Sequence, residues 1–250
     1  MNGQKRIVIV GATSAIAEHC ARLWAAEAPA EMILVGRDRL RTEIVAADLR
    51  VRAPATPVIS LETAFLDPLA IRALADAICA NGVPDIVLIA HGMLPQQQDC
   101  QHDLAGCRAA LDINGVSPVL FAEAFAAHMA RAGRGSLAII GSVAGDRGRK
   151  SNYIYGAAKG MVARHAQGLQ HRFAGSAVQV VLIKPGPTDT PMTAHLVRAG
   201  QRLASVEQVA RDIVRGIGRG RRTIYAPGKW ALIMMIIRHL PDFIFRKLDI

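Results

Sequence analysis

Short apolar segments alternate with amphipathic segments along almost the whole chain, and this alternation restricts the fold more than any other feature. Segments such as Ile86 to Ala90 are continuously hydrophobic, as strands covered on both faces of a sheet must be. We predict strands at residues 5–10, 31–36, 57–61, 84–90, 135–141, 178–184 and 222–225, and helices at 14–28, 38–50, 68–80, 107–131, 153–174 and 205–218. The pattern predicts an α/β fold with a single doubly wound parallel sheet and helices on both faces.

One domain accounts for the chain. Its 250 residues, 51% of them hydrophobic, suffice for one buried α/β core, and no linker divides them. We interpret residues 1–250 as a single domain, with residues 228–250 as its apolar and basic C-terminal tail. No apolar run reaches twenty residues and a strand-like run begins at Ile7, so we expect neither a membrane span nor a signal peptide. This predicts a cytoplasmic protein.

The chain is strongly basic, with a formal net charge of +10 and a pI near 10.1. The arginines are spread along the chain and only 4% of the residues are aromatic, so we expect no nucleic-acid partner. An anionic membrane surface, a phosphorylated substrate or a merely solvated surface would each explain the charge. The four cysteines lack the spacing of a metal site, so we expect reduced thiols and no metal.

In such a sheet the ligand lies beyond the carboxyl ends of the strands, so the residues after each strand are informative. The first strand is followed by small residues from Gly11 to Ala17, which lead into a helix. Small side chains let helix N-terminal amides approach a pyrophosphate, although an ordinary tight turn looks the same. The second strand ends at Gly36-Arg37, where a cation would meet a 2′-phosphate. This favours NADP(H), with NAD(H) as the alternative.

Four residues suit redox chemistry at a ketone or an alcohol: Asn114, Ser142, Tyr155 and Lys159. A helix places positions four apart on one face, so the Lys159 ammonium can lie near the Tyr155 phenol. A free phenol has a pKa of about 10, and a neighbouring cation lowers it. Ser142 follows an apolar run, where a strand end could aim its hydroxyl at the same carbonyl oxygen. A lone Tyr and Lys at this spacing also occur by chance on solvated helix faces.

These residues and the strand ends together resemble the short-chain dehydrogenase/reductase family, over essentially the whole chain. The resemblance rests on Gly11, Asp67, Gly92, Asn114, Gly141-Ser142, Tyr155, Lys159 and the segment 185–190. It implies a Rossmann fold and an NAD(P)-dependent oxidoreductase. In that family's scheme Tyr155 is the acid/base, Lys159 holds the nicotinamide ribose and lowers the Tyr155 pKa, and Ser142 polarises the carbonyl. Asn114 would support a proton-relay water.

The resemblance also implies a cofactor site along the strand ends, with Asp67 against adenine and residues 185–190 around the nicotinamide. The implied cofactor-binding residues are Gly11, Thr13, Ser14, Ile16, Arg37, Asp67, Ala90, Gly92, Tyr155, Lys159, Pro185, Gly186, Thr188 and Thr190. Two features depart from the family pattern. Ala15 and Ala17 replace glycines, which would crowd the phosphate turn. His91 replaces a residue of the usual Asn-Asn-Ala-Gly and places an imidazole near the cofactor, as a site residue or as filler.

A narrower resemblance lies in the tail. Residues 234–241 and 244–248, with 141–149 and 194–196, are similar to the reductase subunits of decaprenylphosphoryl-β-D-ribose 2′-epimerases, which reduce a keto-pentofuranose carried on a polyprenyl phosphate. The implied substrate is a lipid-linked keto-sugar. A soluble keto compound or an acyl thioester is the alternative, and a non-catalytic nucleotide-binding scaffold is the alternative from another class.

The residues of the tail support two interpretations on their own. The run Trp230–Ile237 is apolar, too short to span a bilayer, and flanked by Lys229 and Arg238. It suits peripheral contact with the inner membrane surface, and it equally suits burial in the core or in a subunit interface. We expect a homo-oligomer, either a dimer or a tetramer.

Overall fold

The structure is a computed structural model that describes residues 4–28, 30–198, 200 and 202–248, without the side chains of residues 195 and 197. The strands are β1 (Lys5–Val10), β2 (Ala30–Gly36), β3 (Val58–Glu62), β4 (Ile86–Ile89), β5 (Gly135–Ile140), β6 (Val178–Pro185) and β7 (Thr223–Ala226). They form one parallel sheet in the order β3-β2-β1-β4-β5-β6-β7. The predicted doubly wound parallel sheet is confirmed.

The helices are α1 (Ala15–Glu27), α2 (Arg39–Arg52), α3 (Pro68–Ala80), α4 (Gln97–His102), α5 (Leu104–Leu111), α6 (Ser117–Ala132), α7 (Tyr153–Arg172), α8 (Ala194–Arg198), α9 (Val206–Gly218), α10 (Lys229–His239) and α11 (Asp242–Phe245). A π-helical turn, Asp112–Val116, joins α5 to α6 where the sequence predicts one uninterrupted helix. Helices α4, α8, α10 and α11 have no counterpart in the sequence prediction.

The core has two layers, one on each face of the sheet. Ile7 and Ile9 of β1 belong to the layer that contains α1, α2 and α9. Val8 and Val10 belong to the layer that contains α3, α6 and α7. All four side chains are buried. Because both faces of each central strand need apolar residues, the strands are continuously hydrophobic.

The long helix formed by α5, the π turn and α6 spans Leu104–Ala132. Within the part of the chain that the structure describes, it alone has the length and the mean hydropathy, 1.2, of a membrane span. Of its most apolar stretch, 56% is buried inside the fold. Its Phe121 and Phe125 side chains are fully buried in the second core layer, so it is a core helix.

The C-terminal tail packs on the carboxyl edge of the sheet. The Trp230 indole lies so close to the backbone of Gly186 that a Cβ added there would be 1.9 Å from the indole Nε1. Arg147, in the loop after β5, donates from Nη1 to the carbonyl oxygens of Ile237, at 2.7 Å, and Leu240, at 2.6 Å. The tail is therefore fixed to two loops at this edge of the sheet.

Candidate active site

A cavity opens at the carboxyl edge of the sheet, where the strand order reverses between β1 and β4. The loops after β1, β4, β5 and β6 and the first turns of α7 form its wall. Of the predicted site residues, the wall contains Ser14, Ile16, Ala90, Gly92, Ser142, Tyr155, Lys159, Pro185, Gly186, Thr188 and Thr190. Gly11, Thr13, Arg37, Asp67 and Asn114 lie outside this wall.

Ser142 and Tyr155 meet in the wall of the cavity. Only Gly141 separates Ser142 from the end of β5. The Ser142 Oγ accepts a hydrogen bond from the backbone N–H of Ala144 at 3.1 Å. Since that bond uses the oxygen as an acceptor, the hydroxyl proton stays available to donate. Burial raises the pKa of the Tyr155 phenol, and the nearby Ser142 hydroxyl acts in the opposite direction. The two hydroxyl groups can therefore act on one ligand atom.

Lys159 lies one helical turn after Tyr155 on α7. Its Nζ is buried, donates to the Ile140 carbonyl oxygen at 3.0 Å and lies 5.8 Å from the centre of the Tyr155 ring. Burial lowers the pKa of Lys159 to about 8.

The predicted lowering of the Tyr155 pKa does not hold in this structure. Burial raises that pKa to about 12, and only the Ser142 hydrogen bond opposes the rise. The physical reason is that an enclosed phenol loses the hydration that would stabilise its anion. Tyr155 is accordingly a protonated phenol at neutral pH, which is the form that donates a proton.

Asn114 lies in the π turn and is fully buried. Its Nδ2 donates to the Ala110 carbonyl oxygen at 2.9 Å, and its Oδ1 accepts from the Met93 amide at 2.8 Å. Met93 follows Gly92, where an added Cβ would be 2.9 Å from the Asn114 Oδ1. Asn114 thus holds the loop after β4 in place, and its role in a proton relay stays a prediction.

His91 lies in the cavity wall and packs against the turn after β1. An added Cβ at Gly11, whose φ is +82°, would be 2.6 Å from the His91 amide nitrogen, so only glycine fits there. The Ser117 Oγ donates to the Phe65 carbonyl oxygen at 2.6 Å and therefore accepts from the His91 Nε2 at 2.9 Å. Burial and the positive charges of Lys159 and Arg37 lower the pKa of His91 to about 3. The imidazole is therefore neutral, its Nε2 is held by Ser117, and its buried Nδ1 has no hydrogen-bond partner among the described residues.

The turn after β1 suits a bound pyrophosphate. Ser14 precedes the first turn of α1 and its side chain caps none of that helix's amides, which leaves them for an anion. The prediction that Ala17 crowds this turn is wrong, because its side chain is fully buried in the first core layer. Ala15 is partly buried at the helix start and remains the one methyl that could narrow the turn.

The end of β2 presents Arg37 to solvent. Gly36 is required by packing, since an added Cβ would be 1.9 Å from the Thr42 Oγ1. The next carboxylate, Asp38, caps α2 by accepting from the Arg41 amide at 3.0 Å. Asp67 caps α3 in the same way, through the Leu69 amide at 2.9 Å. At the end of β2, Arg37 is therefore a charged side chain that caps no helix.

These features match known proteins. The profile of the short chain dehydrogenase family covers residues 5–200. The chain belongs to this family. An uncharacterised oxidoreductase of Mycobacterium tuberculosis is 32% identical over 98% of both chains. The cis-4-hydroxycyclohexanecarboxylate dehydrogenase of Sinomonas cyclohexanicum is 29% identical over 82% of this chain and 86% of its own. A short-chain dehydrogenase from Sphingobium yanoikuyae, solved with NADPH, has the same fold, with a TM-score of 0.80 and 23% identity over 95% and 97% of the chains.

As a short-chain dehydrogenase, the protein is an NAD(P)-dependent oxidoreductase, and its cofactor is a nicotinamide nucleotide. The structure adds wall residues of this dehydrogenase that the sequence analysis does not assign to the site. They include Leu94, Arg149, Asn152, Met192, Thr193 and Leu196. All come from loops or a short helix after the strands, where chain composition gives little signal. The available signal is position in the sequence, because Arg149 and Asn152 lie between Ser142 and Tyr155.

A buried ionic cluster supports the loop that carries Ser142. Asp146 accepts hydrogen bonds from the Lys184 Nζ and, at 2.9 Å, from the Tyr225 hydroxyl. The side chains of Asp146 and Lys184 are 4% and 6% exposed, so the pair is shielded from water. Burial, followed by the Asp146 contact, raises the pKa of Tyr225 to about 12. The cluster joins β6 and β7 of this short-chain dehydrogenase to the loop after β5.

Proposed function

We propose that this short-chain dehydrogenase reduces a ketone and that Tyr155 donates the proton to the developing alkoxide. The observation that carries the proposal is the meeting of the Ser142 and Tyr155 hydroxyl groups in one cavity, beside the Lys159 ammonium. With a pKa of about 12, Tyr155 is protonated at neutral pH, and protonated phenol is the form that a proton donor needs.

The roles of the chain's own groups follow from this arrangement. A bound nicotinamide supplies the hydride. Ser142 donates a hydrogen bond to the ketone oxygen and orients it towards the phenol. Tyr155 gives its proton to that oxygen, and the Lys159 ammonium stabilises the phenolate that remains. Ser14, Ile16 and the loop that contains Gly186 form the part of the wall that would hold the cofactor.

We also propose a preference for NADP(H). Arg37 is exposed at the end of β2, and Asp38 is engaged in capping α2, so a 2′-phosphate would meet a cation and no competing carboxylate. Asp67 would contact adenine from the start of α3. Its capping bond occupies one carboxylate oxygen and leaves the other as an acceptor.

For the substrate, we propose a secondary alcohol and ketone couple, and a polyprenyl-phosphate-linked keto-sugar as its preferred form. The similarity to the Sinomonas protein, a hydroxycyclohexanecarboxylate dehydrogenase, supports the couple. The tail supports the lipid, because it presents apolar side chains among exposed basic ones. The exposed apolar residues of the tail are Leu232, Met235, Ile236, Phe243, Ile244 and Leu248. A soluble keto compound or acyl thioester is the second candidate.

Replacement of Tyr155 by phenylalanine tests the mechanism. Tyr153, exposed at the start of the same helix, offers the matched control Tyr153→Phe. We expect Tyr155→Phe to lower kcat by about 10²–10⁴-fold with NADPH affinity nearly unchanged, and the control to leave both unchanged. The assay is NADPH oxidation with a panel of free and lipid-linked keto-sugars and simple cyclic ketones. Full turnover in Tyr155→Phe would refute the mechanism, and no turnover of any ketone by the wild type would favour the scaffold.

A further inference from the structure

Two of the three guanidinium nitrogens of Arg149 are buried donors that no described residue uses. Its Nε and Nη2 are buried, and neither has a hydrogen-bond partner among the described residues. The side chain lies in the wall of the same cavity as Tyr155 and Ser142. Guanidinium groups that are taken out of water are normally paired, because a buried cation without a partner is costly.

The neighbouring arginine shows what a structural role looks like in this loop. Arg147 donates to two carbonyl oxygens of the tail, pairs with Asp242 at 2.8 Å and lies 3.8 Å over the Phe245 ring. Arg149, two residues later, has none of these contacts. Packing of the tail therefore explains Arg147 and does not explain Arg149.

The charges around Arg149 favour an anion. None of the described wall residues is an Asp or a Glu, and the other cation in the wall is Lys159. Burial lowers the pKa of Arg149, and the charge of nearby Asp146 opposes this. That carboxylate is already bound by Lys184 and Tyr225, so it is not free to pair with the guanidinium.

A second unpartnered polar group accompanies the guanidinium. The backbone N–H of Asn152 donates to the Arg149 carbonyl oxygen at 3.2 Å, so the two residues share a turn. Asn152 also lies in the cavity wall. The Asn152 Oδ1 is buried, and no described residue donates to it. Both residues precede Tyr155 in the segment that follows Ser142. Two polar groups without partners, a guanidinium and an amide oxygen, therefore belong to the same cavity wall as the two hydroxyl groups.

We propose that Arg149 binds an oxyanion carried by the substrate, a carboxylate or a phosphate, and so selects anionic ketones. The proposal rests on the proposed function for the position of the reacting carbonyl. The planar guanidinium can present two parallel donors to either anion, and the buried setting strengthens each bond. A carboxylate and a phosphate monoester, whether aryl or prenyl, share this chemistry.

The test measures anion binding to the protein saturated with NADPH, so that the cofactor phosphates cannot compete. Calorimetric titrations use benzoate, phenyl phosphate and geranyl phosphate as probes, with benzamide as the neutral analogue. We expect at least one anion to bind far more tightly than benzamide, and Arg149→Gln to weaken it roughly tenfold to a hundredfold. The exposed Arg211 gives the control Arg211→Gln, which should bind like the wild type. The probe that binds most tightly shows whether the substrate carries a carboxylate, a phosphate on a small molecule or a phosphate on a prenyl chain.

NADPH affinity and thermal unfolding show whether Arg149→Gln is folded, and Arg149→Lys, which keeps the charge, should restore part of the affinity. Equal anion binding in the wild type and Arg149→Gln would overturn the proposal, and so would the absence of anion binding to the wild type. Because the measurement needs no turnover, it can fail while the Tyr155 mechanism holds. It can also succeed if that mechanism is refuted.

Discussion

The contact between Gly186 and Trp230 predicts that one methyl group will separate the tail from the loop after β6. A Cβ at position 186 would lie 1.9 Å from the indole Nε1 and 2.4 Å from two ring carbons. The φ of Gly186 is not in the left-handed region, so the backbone itself accepts alanine. Gly186→Ala must therefore displace either the indole or the loop that lines the cavity.

Overpacking of this kind costs about 1–3 kcal/mol. If half of a cost of about 2.8 kcal/mol falls on the loop, NADPH binding weakens about tenfold, since about 1.4 kcal/mol is a factor of ten. Gly228→Ala is the matched control, because an added Cβ there meets nothing within 4 Å. We expect it to change stability and NADPH affinity by less than about 0.5 kcal/mol.

A double-mutant cycle decides the cause. In a Trp230→Ala background the obstacle is gone, so Gly186→Ala should cost about 0–0.5 kcal/mol, which gives a coupling energy near the whole overpacking cost. Urea unfolding measures stability, and quenching of protein fluorescence by NADPH measures affinity. An equal cost of Gly186→Ala with and without the indole would refute the reasoning and would show that the tail does not rest on this loop.

Three further predictions concern the cofactor, pH and the tail. Arg37→Ala should reduce the ratio of kcat/KM for NADPH over NADH by roughly tenfold to a hundredfold, and equal ratios in wild type and variant would show that Arg37 is only solvated. Alcohol oxidation needs the phenolate, and the Tyr155 pKa is about 12, so its kcat/KM should rise about tenfold per pH unit up to about pH 8 and less steeply above it, where Lys159 loses the charge that stabilises the phenolate. Ketone reduction should stay constant below about pH 8 and fall above it, as Lys159, with a pKa of about 8, loses its charge; flat profiles in both directions would contradict these assignments. Replacement of the exposed tail residues Leu232, Met235 and Ile236 by glutamine should abolish salt-sensitive co-sedimentation with anionic liposomes, whereas Leu69→Gln, at an exposed position on α3, should not. A change of oligomeric state without any liposome binding would assign the tail to a subunit interface.

The sheet and its flanking helices could be predicted because they depend on hydrophobic periodicity, which is local. Segments such as β4 need apolar residues on both faces, and the sequence shows that need directly. The carboxyl ends of the strands then locate the cavity. For the same reason the positions of Ser142, Tyr155 and Lys159 along the chain suffice to predict that they lie together.

The remaining features depend on contacts between distant segments. Nothing in the local sequence distinguishes Arg149 from Arg147. The tail folds onto Arg147 and supplies its partners, whereas two nitrogens of Arg149 have none among the described residues. The pKa of Tyr155 depends on how deeply its ring is enclosed, and periodicity carries no information about enclosure. By sequence His91 could equally be a site residue or filler, and only the fold shows that Ser117 holds its Nε2 while the ring lines the cavity.

The π turn at Asp112–Val116 sets the rotational phase of the long helix. A π turn holds one residue more than an α-helical turn, and each α-helical residue turns the helix by about 100°. Deletion of a single residue there would convert the segment to a regular helix and rotate α6 by about that angle relative to Asn114. Either Phe121 and Phe125 or Asn114 would then leave its buried position. Length at this point of the chain is therefore constrained more strictly than residue identity, and a screen of single-residue deletions should find α5 to α6 among the least tolerant segments.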